Sequence, residues 1–206
     1  MAEPHILVAG IGNIFLGDDG FGSEVARRLL SADLPEEVRV VDYGIRGFDL
    51  AYAILDEWPV VVLVDALPRG EKPGTLTLME ADLGNTGDAS QVEESGGFSG
   101  HLMTPAAVFS LVRMLGGRPR RVLIVGCEPE TFGPENEGRM GLSEVVEAAI
   151  PGAMEMVSEL AGRLIAEAAP GPTTVPDLGA RRPDAQDGEP ADAQERRETV
   201  SGGTSR

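Results

Sequence analysis

The chain of 206 residues has very few of the side chains that usually carry covalent or metal chemistry. It contains one cysteine, Cys127, and two histidines, His5 and His101. A single cysteine excludes an internal disulfide and any cysteine-based zinc cluster. No serine lies in a G-x-S-x-G elbow. Any mechanism that needs an imidazole must therefore use His5 or His101, and Cys127 is predicted to be a buried free thiol.

Positive charge and long apolar runs are also scarce. Lys and Arg number 17 against 34 Asp and Glu, a formal net charge of −17, which argues against nucleic acid or an anionic membrane as the partner. No apolar run approaches the roughly 20 residues that span a bilayer. The first residues lead into a strand without the basic segment and apolar core of a signal peptide. We expect a soluble, cytoplasmic protein that is monomeric by default.

What the sequence does contain is a regular alternation of apolar runs and amphipathic segments. Runs rich in Val, Ile and Leu that are almost continuously apolar are typical of a parallel sheet buried on both faces. They predict an α/β fold, a three-layer sandwich with a twisted, mainly parallel sheet flanked by helices on both faces. In the doubly wound order 2-1-3, the first and third strands are neighbours. The first predicted strand opens at Ile6 and is ended by the glycines Gly10 and Gly12; the others are 38–44, 59–65, 75–80 and a last one that starts at Arg121.

The composition changes near the C-terminus. Beyond Pro170, Ala, Pro, Gly, Asp, Glu and Arg dominate and large apolar residues nearly disappear, so burial cannot offset the entropy of ordering. We predict a folded domain over residues 1–166 and a disordered acidic tail over residues 167–206. The last helix of the domain is predicted from about Leu142 to Ala166.

The most informative stretch is Ile6 to Leu30, which combines a strand, a glycine-rich turn, Asp18 and Asp19, and a helix. The turn is not a standard phosphate cradle, because Phe15 stands where the dinucleotide motif needs its third glycine and no Gly-Lys-Ser/Thr follows. Adjacent carboxylates also repel phosphate. The loop therefore suits the handling of a cation or a proton.

Three structural roles compete with this interpretation. Asp18 or Asp19, placed just before Gly20, suits the N-cap of the following helix. Asp65 ends the third strand, where an aspartate often caps a turn. His101 follows a long polar, glycine-rich loop and is compatible with an ordinary loop histidine.

A metal site emerges when these residues are placed on the predicted sheet. The carboxyl ends of strands one and three flank the crevice in which such folds bind ligands, so the acidic pair and Asp65 should face each other. Two carboxylate oxygens and the imidazole of His101 form a ligand set suited to a borderline divalent metal such as nickel or zinc, with positions open for substrate or water.

Several motifs resemble those of the hydrogenase maturation endopeptidases. They are GIGNIFLGDDGFG, the aspartate that ends VVLVDAL, SGHLMTP and the later GCEPE, and the resemblance extends over roughly Ile6 to Leu164. The resemblance implies a twisted, mainly parallel sheet. It also implies that Asp19, Asp65 and His101 are the metal-binding and catalytic residues.

The loop after the second strand departs from that family. Family members often have Asp-Gly-Gly-Thr there, whereas this chain has Asp42-Tyr43-Gly44-Ile45, followed by Arg46. Asp42 and Arg46 either line the crevice or pair with each other. The departure bears on which hydrogenase subclass the chain serves.

The resemblance implies removal of a C-terminal extension from the large-subunit precursor of a [NiFe]-hydrogenase after nickel insertion. Nickel is then supplied by the precursor, with other divalent metals as substitutes in vitro, and the precursor is the expected partner. Two alternatives remain at the level of sequence. One is a non-catalytic nickel- or precursor-binding maturation chaperone, and the other is a nucleotide- or flavin-binding doubly wound module.

Overall fold

The computed structural model describes residues 5–56, 58–81, 105–117, 120–133 and 138–168. The chain divides into two units, Met1–Ala169 and Pro170–Arg206, and the described residues all belong to the first. His101 and most of the predicted loop before it, together with residues 169–206 of the predicted tail, lie outside the described residues.

The described elements form a doubly wound α/β fold. The sheet order is β2-β1-β3-β5-β4, with β4 antiparallel to β5 at one edge and the other neighbours parallel. This confirms the predicted mainly parallel sheet and the 2-1-3 order. The elements are β1 (Ile6–Ile11), a 3₁₀ turn (Gly17–Gly20), α1 (Phe21–Leu29), β2 (Val38–Gly44), α2 (Gly47–Leu55), β3 (Val60–Ala66), β4 (Leu76–Glu80), α3 (Pro105–Met114), β5 (Val122–Cys127) and α4 (Glu144–Ala168).

Helices cover both faces of this sheet, as predicted for a three-layer sandwich. Side chains alternate along each strand, so that Val8 contributes to the core under α1 and α4 while Leu7 contributes to the core under α2 and α3. The central strands β1, β3 and β5 are buried almost throughout. Within the described ranges, no helix combines the length and the apolar character needed to cross a bilayer.

Glycines bring α1 unusually close to the sheet. A Cβ atom on Gly22 would lie 2.0 Å from the carbonyl oxygen of Val64, and one on Gly10 would lie 2.3 Å from the carbonyl oxygen of Gly22. Gly12 has a positive φ of 130°, and a Cβ there would lie 1.8 Å from the carbonyl oxygen of Asp19. The space that these glycines leave is therefore filled by the protein's own backbone.

The predicted capping of the first helix is wrong. Gly20 is the N-cap of α1, and no side chain caps that helix, so neither Asp18 nor Asp19 has the predicted capping role. The last helix begins at Glu144, within two residues of the predicted start near Leu142, and ends at Ala168. The backbone carbonyl of Ser143 accepts the first helical hydrogen bond, from Glu147 N–H at 2.9 Å, while the N–H of Ser143 donates to Asp18.

Candidate functional site

Asp19 lies in the 3₁₀ turn at the carboxyl end of β1, where it is half-buried. Its Oδ2 accepts a hydrogen bond of 2.6 Å from the backbone N–H of Asn13. The Asn13 side chain in turn accepts a hydrogen bond of 3.0 Å from the N–H of Phe15. The carboxylate of Asp19 is thus held by the loop that connects β1 to the turn.

Asp65 lies at the carboxyl end of the neighbouring strand β3 and is only 6% exposed. Burial raises the pKa of Asp65 well above its usual range, and the nearby negative charge of Asp19 raises it further. The backbone N–H of Ala66 opposes this rise only in part. Asp65 therefore takes up a proton, or a cation in its place, more readily than an ordinary aspartate.

The close seating of α1 explains why these acids meet. The backbone of residues 19–22 is packed between two other backbone segments. The Asp19 carbonyl lies against Gly12, and Gly22 lies against the Val64 carbonyl. Val64 directly precedes Asp65, so the contact that seats the helix also brings Asp19 toward Asp65. A divalent cation would offset the repulsion between two partly buried carboxylates, so the Asp19–Asp65 pair fits a divalent metal ion.

The third predicted ligand is not placed by the structure, because His101 lies outside the described residues. Within the described part of the chain, no three His, Cys, Asp or Glu side chains are arranged to hold a metal ion. The structure therefore brings Asp19 and Asp65 together, and the complete set of three ligands stays a prediction.

Asp18, the other member of the acidic pair, has an entirely different environment. It is fully buried, and its carboxylate accepts hydrogen bonds from the backbone N–H groups of Glu130 (2.8 Å), Thr131 (2.9 Å) and Ser143 (2.6 Å) and from the Ser143 hydroxyl (3.0 Å). Burial by itself would raise the pKa of Asp18, but these donors outweigh it and the pKa is lowered. Asp18 therefore connects the turn after β1 to two segments that are distant in sequence, residues 130–131 and Ser143.

Two further polar residues lie at the carboxyl end of β5, where Cys127 is the last residue of the strand and Glu128 follows it. Cys127 is a buried free thiol, as predicted. Burial, reinforced by the charges of Asp18 and Glu128, raises its pKa to about 12, which keeps the thiol protonated and unsuited to nucleophilic attack. The Glu128 carboxylate accepts hydrogen bonds from the N–H groups of Arg69 (2.7 Å) and Gly70 (3.1 Å), so Glu128 caps the turn after β3. Sequence reasoning assigned no role to Glu128 or Ser143.

A groove of about 260 Å³ lies between the loop after β1 and the loop after β2, and both Asp42 and Arg46 line it. The two side chains do not form an ion pair. The Arg46 guanidinium donates to the backbone carbonyl of Asp42 and lies 3.7 Å from the Asp49 carboxylate, while the Asp42 carboxylate accepts from Gly44 N–H at 3.0 Å.

The fold and the site define an α/β protein with a carboxylate pair at the switch point of a mainly parallel sheet, where this class binds its ligands. A family model described as hydrogenase maturation protease matches residues 23–160, a range that includes Asp65 and begins shortly after Asp19. The chain belongs to the hydrogenase maturation protease family, which is a family of peptidases.

Individual relatives agree with this assignment. The hydrogenase 2 maturation protease of Escherichia coli is 28% identical over 154 residues, covering 74% of this chain and 88% of that protein. The solved structure of the hydrogenase maturating endopeptidase HybD from Escherichia coli is similar with a TM-score of 0.59 and 27% identity, over 78% of this chain and 93% of that one. A hydrogenase 2 maturation peptidase from a Thaumarchaeota archaeon is similar with a TM-score of 0.55 and 30% identity, over 77% and 98% of the two chains.

Proposed function

We propose that this protein is an endopeptidase that removes the C-terminal extension of a [NiFe]-hydrogenase large-subunit precursor after nickel insertion. Membership of the hydrogenase maturation protease family supports this substrate. The observation that carries the proposal is the Asp19–Asp65 pair, in which a buried acid with a raised pKa lies beside a second carboxylate at the ligand-binding edge of the sheet.

The proposed role of the pair is to engage the nickel that the precursor already carries. Asp19 presents a carboxylate that is held by Asn13 N–H, and Asp65 contributes a second oxygen ligand. His101 is proposed as the third ligand. An arrangement of two oxygens and one imidazole holds a metal only modestly by itself, so it engages strongly when the substrate supplies the ion. Nickel bound in this way polarises the scissile carbonyl or a water molecule.

The direct test compares nickel-loaded and nickel-free precursors. Each form is incubated with the purified protein, and the mass of the large subunit is measured before and after. We expect a shortened product only from the nickel-loaded precursor. The variants Asp19→Asn, Asp65→Asn and His101→Ala should yield no shortened product, whereas Asp33→Asn, which changes an exposed acid between α1 and β2, should process normally.

Each alternative has its own result in this experiment. Binding of the nickel-loaded precursor without shortening would favour a maturation chaperone over a peptidase. Equal cleavage of the two precursors would show that nickel is not required. Full activity of a folded His101→Ala variant would remove the imidazole from the mechanism while leaving the acid pair in place.

A further inference from the structure

Large apolar side chains are exposed on and around the loop that leads from β1 to Asp19. Phe15 lies four residues before Asp19 and is 56% exposed, Phe132 is 37% exposed and Met140 is 72% exposed. Aromatic residues and methionine are enriched at protein interfaces relative to the rest of the surface. Phe15, Phe132 and Met140 are called the apolar rim below.

Backbone hydrogen bonds place the segments that carry the rim side by side. The N–H of Arg139 donates to the carbonyl of Phe15 at 2.8 Å, and the N–H of Gly17 donates to the carbonyl of Arg139 at 2.6 Å. A Cβ atom on Gly17 would also lie 3.4 Å from the carbonyl carbon of Phe132. Since Met140 directly follows Arg139, the backbone segments that carry the three rim residues lie side by side.

The backbone under the rim is held on several sides. Phe15 donates its N–H to the Asn13 side chain, and its carbonyl is bound by Arg139. Next to Phe132, Thr131 binds the Asp18 carboxylate through its N–H, while its carbonyl accepts the N–H of Asp18 at 3.1 Å. Binding to a surface whose backbone is already ordered costs less conformational entropy than binding to a loose loop.

The adjoining groove is small for a site that encloses a small molecule. Its volume of about 260 Å³ is below the roughly 300–1,000 Å³ of typical small-molecule pockets. Phe15 of the apolar rim lies in the loop that leads to Asp19. The proposed substrate must reach Asp19. A protein that brings its nickel to Asp19 approaches the loop that also carries Phe15.

Resting on the proposed function, we propose that the apolar rim is the docking surface for the folded large-subunit precursor, binding an apolar patch beside the nickel site. Recognition then has two separate parts. The rim binds the body of the precursor, and the acid pair responds to its nickel. Docking is accordingly independent of nickel, whereas cleavage is not.

The test uses the variant Phe15→Ala/Phe132→Ala/Met140→Ala of the full chain, together with each single substitution. Binding to the nickel-free precursor is measured by calorimetry, and KM and kcat are measured with the nickel-loaded precursor. We expect Kd and KM to rise at least about tenfold in the triple variant, as for the loss of interface anchors, while kcat changes by less than about twofold. Met114→Ala is the matched control, because Met114 is 83% exposed at the end of α3 that leads toward the start of β5.

The outcomes separate the two proposals. Unchanged Kd and KM in a triple variant whose thermal melting matches wild type would overturn the docking surface and leave the peptidase assignment intact. A wild-type protein that binds the precursor but never shortens it, with binding lost in the triple variant, would overturn the peptidase and support the docking surface. If Met114→Ala raised Kd and KM as much as the triple variant does, the effect would come from surface apolarity in general, and the docking surface would also be overturned.

Discussion

Asp18 and Asp65 are both buried acids at the same end of the sheet, yet their surroundings are opposite. Asp18 accepts hydrogen bonds from Glu130, Thr131 and Ser143, and its pKa is lowered. Asp65 has the N–H of Ala66 as its stabilising donor and Asp19 as a repelling neighbour, and its pKa is raised. A buried carboxylate that is fully hydrogen-bonded stabilises the fold, whereas one that lacks such compensation is available for chemistry.

Removing the charge of either member of the acid pair, Asp19 or Asp65, tests this contrast most strongly. Asp65→Asn and Asp19→Asn should each lower processing by more than the roughly 100-fold that is lost when a residue merely supports a metal ligand. The physical reason is that each change removes a charged oxygen proposed to engage nickel. Rates of precursor shortening by the folded variants provide the measurement, and a rate within tenfold of wild type would contradict the assigned role.

Asp18→Asn should act on stability instead. The amide keeps one acceptor oxygen but turns its own NH₂ group toward N–H donors, in a position without solvent. We expect a loss of about 3–5 kcal/mol in the free energy of unfolding, the range for breaking a buried charged interaction. Urea unfolding provides the measurement, with Asp33→Asn as the exposed control. A loss below about 1 kcal/mol would show that the hydrogen bonds to Asp18 are not essential.

The close seating of α1 connects the two regions, and Gly22→Ala tests it. The new Cβ would lie 2.0 Å from the Val64 carbonyl oxygen, so α1 must move away from β3. We expect a loss of about 1–3 kcal/mol in stability, as for overpacking, together with reduced processing because Asp19 moves with the helix. Gly162→Ala is the matched control, since a Cβ there meets nothing within 4 Å and should stabilise α4 by up to about 1 kcal/mol. Equal effects of the two substitutions on stability and processing would show that the close packing of α1 against β3 is not required.

The pH dependence of stability should have opposite signs at the two acids. The pKa of Asp65 is higher in the folded state than in the unfolded state, so its stabilising contribution is complete at low pH and is lost as pH rises through the folded pKa. Asp18 has a lowered folded pKa, so its contribution is present above the unfolded pKa and is lost as pH falls.

Asp65→Asn should therefore be more stable than wild type at the higher pH, and the difference in free energy of unfolding should shrink as the pH falls. Free energies of unfolding measured from pH 4 to pH 8 check this. A variant that is less stable than wild type throughout that range would show that Asp65 is ionised and well compensated in the folded protein.

The sequence was a good guide wherever local patterns carry the information. Apolar runs identified the strands, and the position of Asp65 at a strand end placed it at the ligand-binding edge. The sequence also indicated that the loop carrying Asp18 and Asp19 suits a cation, and the resemblance implied Asp19. It failed on the capping role of the acidic pair, because Asp18 is bound by Ser143, 125 residues away along the chain. No local pattern reports a partner at that separation.

The sequence by itself determined the alternation of strands and helices, and therefore the edge at which the acids collect, since burial of apolar runs depends on nearby periodicity. Only the tertiary structure decided which acid stabilises the fold and which is left reactive. Asp18 and Asp65 have the same carboxyl group, and the pKa of each is set by the donors, charges and solvent that folding brings around it.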